Sequence, residues 1–118
     1  MSHQKYASIR LNIFKESEIS FLAALEKENI PYGRINTYSN MPQASGILAS
    51  ITAIAEAMPW KKIADIFIAW LDARKSRQVI IQINDGTVIN IKGYSSKDVQ
   101  ALLKTSVNVS VLDTKREE

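Results

Sequence analysis

The sequence predicts an α+β fold in which helices cover a small mixed β-sheet. Apolar residues alternate near the N-terminus, Asp85-Gly86 lies between two β-rich runs, and segments with helical spacing separate the strands. These periodicities are typical of half-buried strands, hairpins and amphipathic helices. The expected order is strand, helix, strand, long helix broken at Pro59, hairpin at about residues 78–92, helix and strand. A chain of 118 residues should form one domain, residues 1–118, with frayed ends at 1–4 and 114–118.

The N-terminal third begins with the clearest strand. Between Tyr6 and Phe14 the apolar residues occupy every second position, and polar residues lie between them. Ser17 is a candidate N-cap for a helix that should end before Pro31, because the residue before a proline disfavours the helical conformation. The predicted apolar face of this helix consists of Ile19, Leu22, Ala23 and Leu25. Residues 32–38 predict a short second strand, and residues 39–46 predict a loop.

The stretch from residue 47 to residue 71 is strongly apolar and has helical spacing. Its first stripe is Ile47, Leu48, Ile51, Ile54, Ala55 and Met58, and after Pro59 it resumes as Ile63, Ile66, Phe67, Trp70 and Leu71. Either one helix kinks at Pro59, or two helices meet there. Charged residues at 56, 61, 62, 65 and 72 interrupt the roughly 20-residue apolar run that a membrane-spanning helix needs, so no membrane span is expected.

The Asp85-Gly86 pair predicts a β-hairpin, and the apolar pattern selects its register. A two-residue loop would place Ile81 opposite Asn90. A three-residue loop of residues 84–86, with Gly86 left-handed, aligns Ile81 with Ile89 instead, and we expect this register. Beyond the hairpin, Ser95 should cap a helix with Asp98 three residues on, and alternating valines at 107, 109 and 111 predict a last strand.

Composition points away from several classes of protein. The chain has no cysteine, so disulfides and thiolate chemistry play no part, and a cytoplasmic location is expected. The N-terminal residues alternate in polarity, whereas a signal peptide has a continuous apolar segment. A net charge of +3 is smaller than that of a dedicated nucleic-acid binder.

No catalytic, cofactor-binding or metal-binding motif is recognisable, and the chain is predicted not to be an enzyme. His3 is the only histidine and lies in the terminal segment, so the sequence offers no catalytic triad. Asp65 and Asp72 are seven residues apart and would share a helix face, but a solvated helix surface is the favoured interpretation of such spacing. The glycines are isolated at turns and form no phosphate-binding loop.

Two tryptophans and a basic cluster are the candidate contacts for a partner. They are Trp60, Trp70, Arg74, Lys75 and Arg77. Tryptophan is enriched at interface hot spots, and clustered cations favour an acidic protein or a nucleic-acid backbone. Core packing of the tryptophans, and cations that complement a helix C-terminus, are the alternatives that the sequence leaves open.

A particular order of segments runs through the chain. After a β-α-β start, an expected helix, "MPQASGILASITAIAEA", precedes a tryptophan-containing helix, "IADIFIAWLDARKSR", then "VIIQINDGTVINI" and a helix that opens with "SSKDVQALL". This order resembles the effector-associated constant component family of bacterial conflict systems. The matching positions are Trp70, Leu71, Arg74, Asp85, Gly86 and Asp98. The chain departs from that family in being richer in lysine, isoleucine and asparagine.

The resemblance implies a noncatalytic protein–protein interaction module, an adaptor or constant subunit that accompanies an effector in anti-phage or other conflict. Its partner would be a protein, often a protease or an NTP-dependent module, and a homo-oligomer would also fit. An immunity protein that neutralises a toxin is the main alternative. A nucleic-acid-binding accessory protein, acting through Arg74, Lys75 and Arg77, is less expected because no recognised binding motif accompanies these charges.

Overall fold

Six β-strands form one mixed sheet in the computed structural model, which describes residues 5–35 and 46–114. The strands are β1 (Tyr6–Phe14), β2 (Gly33–Arg34), β3 (Gly46–Ile54), β4 (Arg77–Ile83), β5 (Val88–Asn90) and β6 (Ser106–Asp113). The helices are α1 (Glu18–Lys27), α2 (Trp60–Ala73) and α3 (Ser96–Lys104). Neighbouring strands follow the order β2-β3-β1-β6-β4-β5, in which β1 and β6 are parallel and the other pairs antiparallel. The predicted α+β class is confirmed.

Some of the predictions concern residues outside this description. These are the frayed ends at residues 1–4 and 115–118, and the loop and strand predictions that fall on residues 36–45. Of the strand predicted over residues 32–38, the described part contains β2, which pairs with Ser50 and Ala49 of β3. Thr114, predicted to be frayed, donates its backbone N–H to the carbonyl of Ser76 at 3.1 Å.

The helix predicted before Pro59 is wrong: this segment is the strand β3 followed by a 3₁₀ turn at Ala55–Ala57. The segment contains two periodicities, and every second residue from Ile47 to Ala53 also lies on one face. The whole segment pairs with β1 along nine residue pairs. In this register the second set faces the core residues of β1, with Ile51 opposite Ile9 and Ala49 opposite Leu11. Long-range pairing with a well-formed strand therefore overrides a local helical pattern. No helix breaks at Pro59, which directly precedes the first residue of α2.

One face of the sheet carries the core, and all three helices pack on it. Leu11 lies between Ala49 of β3 and Val109 of β6, and Val109 lies opposite Ile81 of β4. These four side chains are fully buried in one cluster with the apolar faces of the helices. The predicted stripe on α2 is confirmed, because Ile63, Ile66, Phe67, Trp70 and Leu71 are all buried. In the described ranges no helix covers the opposite face of the sheet.

The hairpin has the register that the apolar pattern predicts. Ile81 lies opposite Ile89, and the amide of Ile83 donates to Thr87 O at 2.9 Å across a loop of residues 84–86. Gly86 takes the left-handed conformation that this loop requires, with φ of 92°. The predicted cap of α3 is also confirmed, because the Ser95 side chain accepts a hydrogen bond from the Asp98 amide.

The start of α1 differs from the prediction in two ways. Ser17 makes no side-chain cap; its buried hydroxyl lies 2.7 Å from Phe14 O and 2.8 Å from Val111 O, to which it can donate. The hydroxyl thus ties the end of β1 to β6. Ile19, predicted to face the core, is 82% exposed, and Phe21 is buried in the core instead. A 3₁₀ turn at Lys15–Ser17 precedes the helix, whose buried residues are Phe21, Leu22 and Leu25.

Candidate partner-binding groove between α1 and α2

Helices α1 and α2 meet through an aromatic contact near the start of α1. The ring of Phe21 stacks on Phe67 with centroids 5.2 Å apart, and it meets Trp70 edge to face at 5.5 Å. Trp70 Nε1 donates to Ser20 Oγ at 3.0 Å. The start of α1 therefore lies beside the end of α2, which indicates that the two helices run in opposite directions.

A groove of about 620 Å³ lies along this helix pair and is the candidate functional site. Its apolar lining consists of Ala23, Ala24, Ile66, Ala69 and Trp70. Three of these residues are alanines, whose small side chains leave a concave surface where longer residues would fill the space between the helices. The volume falls in the range of ligand and side-chain binding clefts in proteins.

The two ends of the groove differ chemically. Lys27, at the end of α1, and Lys62, at the start of α2, line one end together with Glu28. Ser20, Trp70 and Arg77 line the other end. Neither Lys27 nor Lys62 forms an ion pair with a residue of the described ranges. The groove is therefore apolar in the middle and carries two accessible ammonium groups at one end.

An exposed apolar residue of α1, Ile19, lies near the groove. Ile19 precedes Ala23 by four residues, so the two lie on the same side of the helix. Its side chain is 82% exposed, the highest value among the large exposed hydrophobic residues of the described chain. Ile19 does not line the groove itself, but it lies one helical turn from the groove residue Ala23, and exposed apolar surface of this kind marks interaction sites.

Asp65 lies on the rim of the groove but is held by other contacts. It accepts hydrogen bonds from Ser96 Oγ at 2.6 Å and from Lys61 Nζ at 2.9 Å. The Ser96 hydroxyl, and after it the Lys61 ammonium, hold the pKa of this carboxyl below its ordinary value. Asp65 thereby connects α2 to α3, whereas Asp72 is exposed. The solvated surface predicted for both carboxylates is therefore found for Asp72, whereas Asp65 is half-buried in a contact between helices.

A buried ionic cluster closes the Trp70 end of the groove. The carboxylate of Asp113, whose side chain is 0% exposed, accepts from Ser76 Oγ at 2.6 Å and from Arg77 Nε at 3.2 Å. Arg74 NH1 lies 3.6 Å from the same carboxylate. The guanidinium of Arg77 also donates to the Trp70 carbonyl at 2.9 Å and lies 4.6 Å from the centroid of the Trp70 ring. These contacts anchor the end of α2 to β4 and β6.

The five sequence-predicted partner contacts are divided by the structure. Trp70 and Arg77 are buried, at 4% and 7% exposure, and contact each other, while Arg77 and the half-exposed Arg74 both face Asp113. Lys75 is exposed, and its carbonyl accepts a hydrogen bond from Lys92. Trp60 is half-buried at the opposite end of α2. Their partner-binding role stays a prediction, but only Trp60, Arg74 and Lys75 present substantial surface.

Sequence reasoning missed the residues that form the groove itself. Ala23, Ala69 and Lys62 were not among the predicted contacts, since alanine and lysine are ordinary on helix surfaces. The available signal was the i, i+4, i+8 series of Ile19, Ala23 and Lys27 on α1. Such a series shows a face of one helix, and only the packing of α1 against α2 makes that face part of a groove.

The described residues also bear on two other kinds of site. No group of three or more histidine, cysteine, aspartate or glutamate side chains in residues 5–35 and 46–114 is arranged to hold a metal ion. Within the same ranges no helix has the length and apolar character needed to cross a membrane.

Comparison with known proteins identifies no relative. No protein-family model, no curated protein and no solved structure gives a significant match to this chain. The resemblance to the effector-associated constant component family therefore stays a prediction from the sequence.

Proposed function

We propose that this chain is a protein-binding module that docks a segment of a partner protein in the groove between α1 and α2. The alanine-lined groove of about 620 Å³ carries the proposal. Ile19 is exposed one helical turn from the groove residue Ala23, so a partner that covered both would remove apolar surface from water. Burial of apolar surface is the main driving force of most protein association.

The partner is an effector protein, and the chain acts beside it as a noncatalytic adaptor or constant subunit in the cytoplasm. This part of the proposal rests on the resemblance to the constant component family of bacterial conflict systems. The groove is compatible with it, since an adaptor needs a surface for a partner and a fold that is stable alone.

Site-specific photo-crosslinking in the native host, with the neighbouring genes intact, tests the proposal. A photoreactive amino acid replaces Ala69 in the groove or, as a control, the exposed Thr52 on the uncovered face of the sheet. We expect a stoichiometric protein crosslink from position 69 that position 52 does not give. The crosslink should disappear when Ala23→Trp fills the groove from the opposite wall.

The identity of the crosslinked protein separates the functional alternatives. A protease or an NTP-dependent effector supports the adaptor role, whereas a toxin whose activity falls on binding supports an immunity protein. A partner captured equally from positions 69 and 52, or from neither, would refute docking in the groove. Nucleic acid recovered at Arg74 and Lys75, with no protein at position 69, would favour the accessory nucleic-acid role instead.

A further inference from the structure

The chemical difference between the ends of the groove constrains what occupies it. We propose that the occupant is an amphipathic α-helix of the partner, which lies along α1 and α2 with an acidic residue at the Lys27–Lys62 end. This inference rests on the proposed function, since it names the kind of segment that the groove binds.

The shape of the groove favours a helix. Two antiparallel helices form its walls, and a third helix can fill such a depression as the helices of a bundle do, with axes about 8–10 Å apart. Alanines on both walls, Ala23 and Ala24 on one side and Ala69 on the other, permit this close approach. Binding an amphipathic helix in an apolar groove is a common mode of peptide recognition.

The charges favour an acidic residue at one end. Lys27 and Lys62 approach the groove from opposite walls, and neither has an ion-pair partner in the described chain. Two carboxylates line this part of the groove, and Asp65 already accepts hydrogen bonds from Lys61 and Ser96. Among the described residues, only Glu28 is left to offset the two lysines. Two ammonium groups against one carboxylate leave a net positive end, which complements a carboxylate on the partner.

The distance along α1 from Ile19 to Lys27 predicts a spacing in the partner. Ile19 and Lys27 are eight residues apart on α1, which corresponds to about 12 Å along the axis. A helix lying beside α1 spans the same distance in about eight of its own residues. We therefore expect apolar side chains at two positions three or four residues apart, near Ile19 and Ala23, and an aspartate or glutamate about one further turn along the same face.

Selection from a peptide library tests this spacing directly. The probe is a yeast-displayed library of helical peptides, each about 16 residues long because shorter isolated helices are marginal in water. It is selected on the wild-type protein and counter-selected on Ala69→Trp, in which the groove is filled. We expect the enriched peptides to have two apolar positions and a carboxylate at the predicted spacing.

Charge reversal provides the decisive comparison. Lys27→Glu with Lys62→Glu should weaken an enriched peptide about tenfold, and a carboxylate-to-lysine change in the peptide should restore binding to this variant. The matched control is Lys97→Glu with Lys104→Glu, which changes one cation in the first turn and one in the last turn of α3. The control has the same net charge but should bind as the wild type does.

Three outcomes would overturn the inference. The selection could give no peptide whose binding Ala69→Trp blocks, or it could enrich peptides that lack the acidic position. The third is that the two charge variants lose peptide affinity equally. The photo-crosslinking above separates these failures from failure of the proposed function. A partner crosslinked at position 69 through a segment that is not an acidic helix keeps the groove function and removes only this inference.

Discussion

The buried carboxylate of Asp113 provides the sharpest test of what holds the domain together. Asp113→Asn keeps the shape of the side chain but removes its charge. Arg77, whose side chain is 9% exposed, would then retain its positive charge next to a neutral amide. The substitution also weakens the short hydrogen bond from the Ser76 hydroxyl, 2.6 Å from the carboxylate in the native protein. We expect substantial destabilisation without a change of fold.

The size of the stability loss in Asp113→Asn follows from the burial of the Arg77 and Asp113 charges. Removing one partner of a buried ion pair costs about 3–5 kcal/mol, because the remaining charge stays out of water. The amide of asparagine still offers an oxygen to Arg77, so about 3 kcal/mol is expected. Arg74 adds less than Arg77: its NH1 atom is buried 3.6 Å from the carboxylate, but the side chain as a whole is 40% exposed, so this guanidinium can turn toward water when the carboxylate is neutralised.

Urea denaturation followed by circular dichroism measures this loss, with Asp72→Asn as the control. Asp72 is an exposed carboxylate near the end of α2, so its amide variant should stay within about 0.5 kcal/mol of the wild type. A loss below about 1 kcal/mol for Asp113→Asn would refute the reasoning, because it would mean that the ion pair is effectively solvated. Replacing both charges, with Arg77→Met and Asp113→Leu, should cost less than Asp113→Asn alone.

Four further substitutions test local features by the same denaturation assay. Gly46→Ala should cost about 3 kcal/mol, because φ is +130° and a Cβ would lie 1.9 Å from a carbonyl oxygen of β1; Gly93→Ala, with open space around the Cβ and φ of +87°, should cost about 1 kcal/mol. Ser17→Ala should cost about 1–3 kcal/mol by removing the donor between two strand-end carbonyls, and a neutral result would contradict this role. The hydrogen bond from Ser96 lowers the pKa of the Asp65 carboxyl, so this group stabilises the fold above its ordinary pKa of 3.8 and stops doing so as the pH falls below that value. Asp65→Asn should therefore lose less stability on acidification than the wild type does. An unchanged acid transition in Asp65→Asn would contradict the last expectation.

Much of the fold was predictable because its signals are local. The alternation in β1, the Asp85-Gly86 turn with its register, and the Ser95 cap all depend on residues within a few positions of one another. The segment that became β3 carried a helical stripe and a strand alternation at once. Nine residue pairs with β1, more than 30 positions away, stabilise the strand over the helix. No local pattern contains information about such distant pairs.

The candidate site was less predictable, because a groove is a property of two packed elements. Trp70 shows the difference. As a tryptophan it predicted a partner contact, but its indole N–H donates to Ser20 and its ring contacts Phe21 and Arg77. The residue therefore lines the groove with a side chain that is also part of the core.

The double role of Trp70 decides which substitution can report on binding. Trp70→Ala would remove a large buried side chain, at a cost of about 3–5 kcal/mol, so any lost interaction could follow from lost folding. Ala69, the preceding residue, is exposed and lines the same groove, so Ala69→Trp fills the groove without replacing a core contact. Loss of partner binding in Ala69→Trp at an unchanged free energy of unfolding would therefore be evidence on the groove that no substitution of Trp70 can supply.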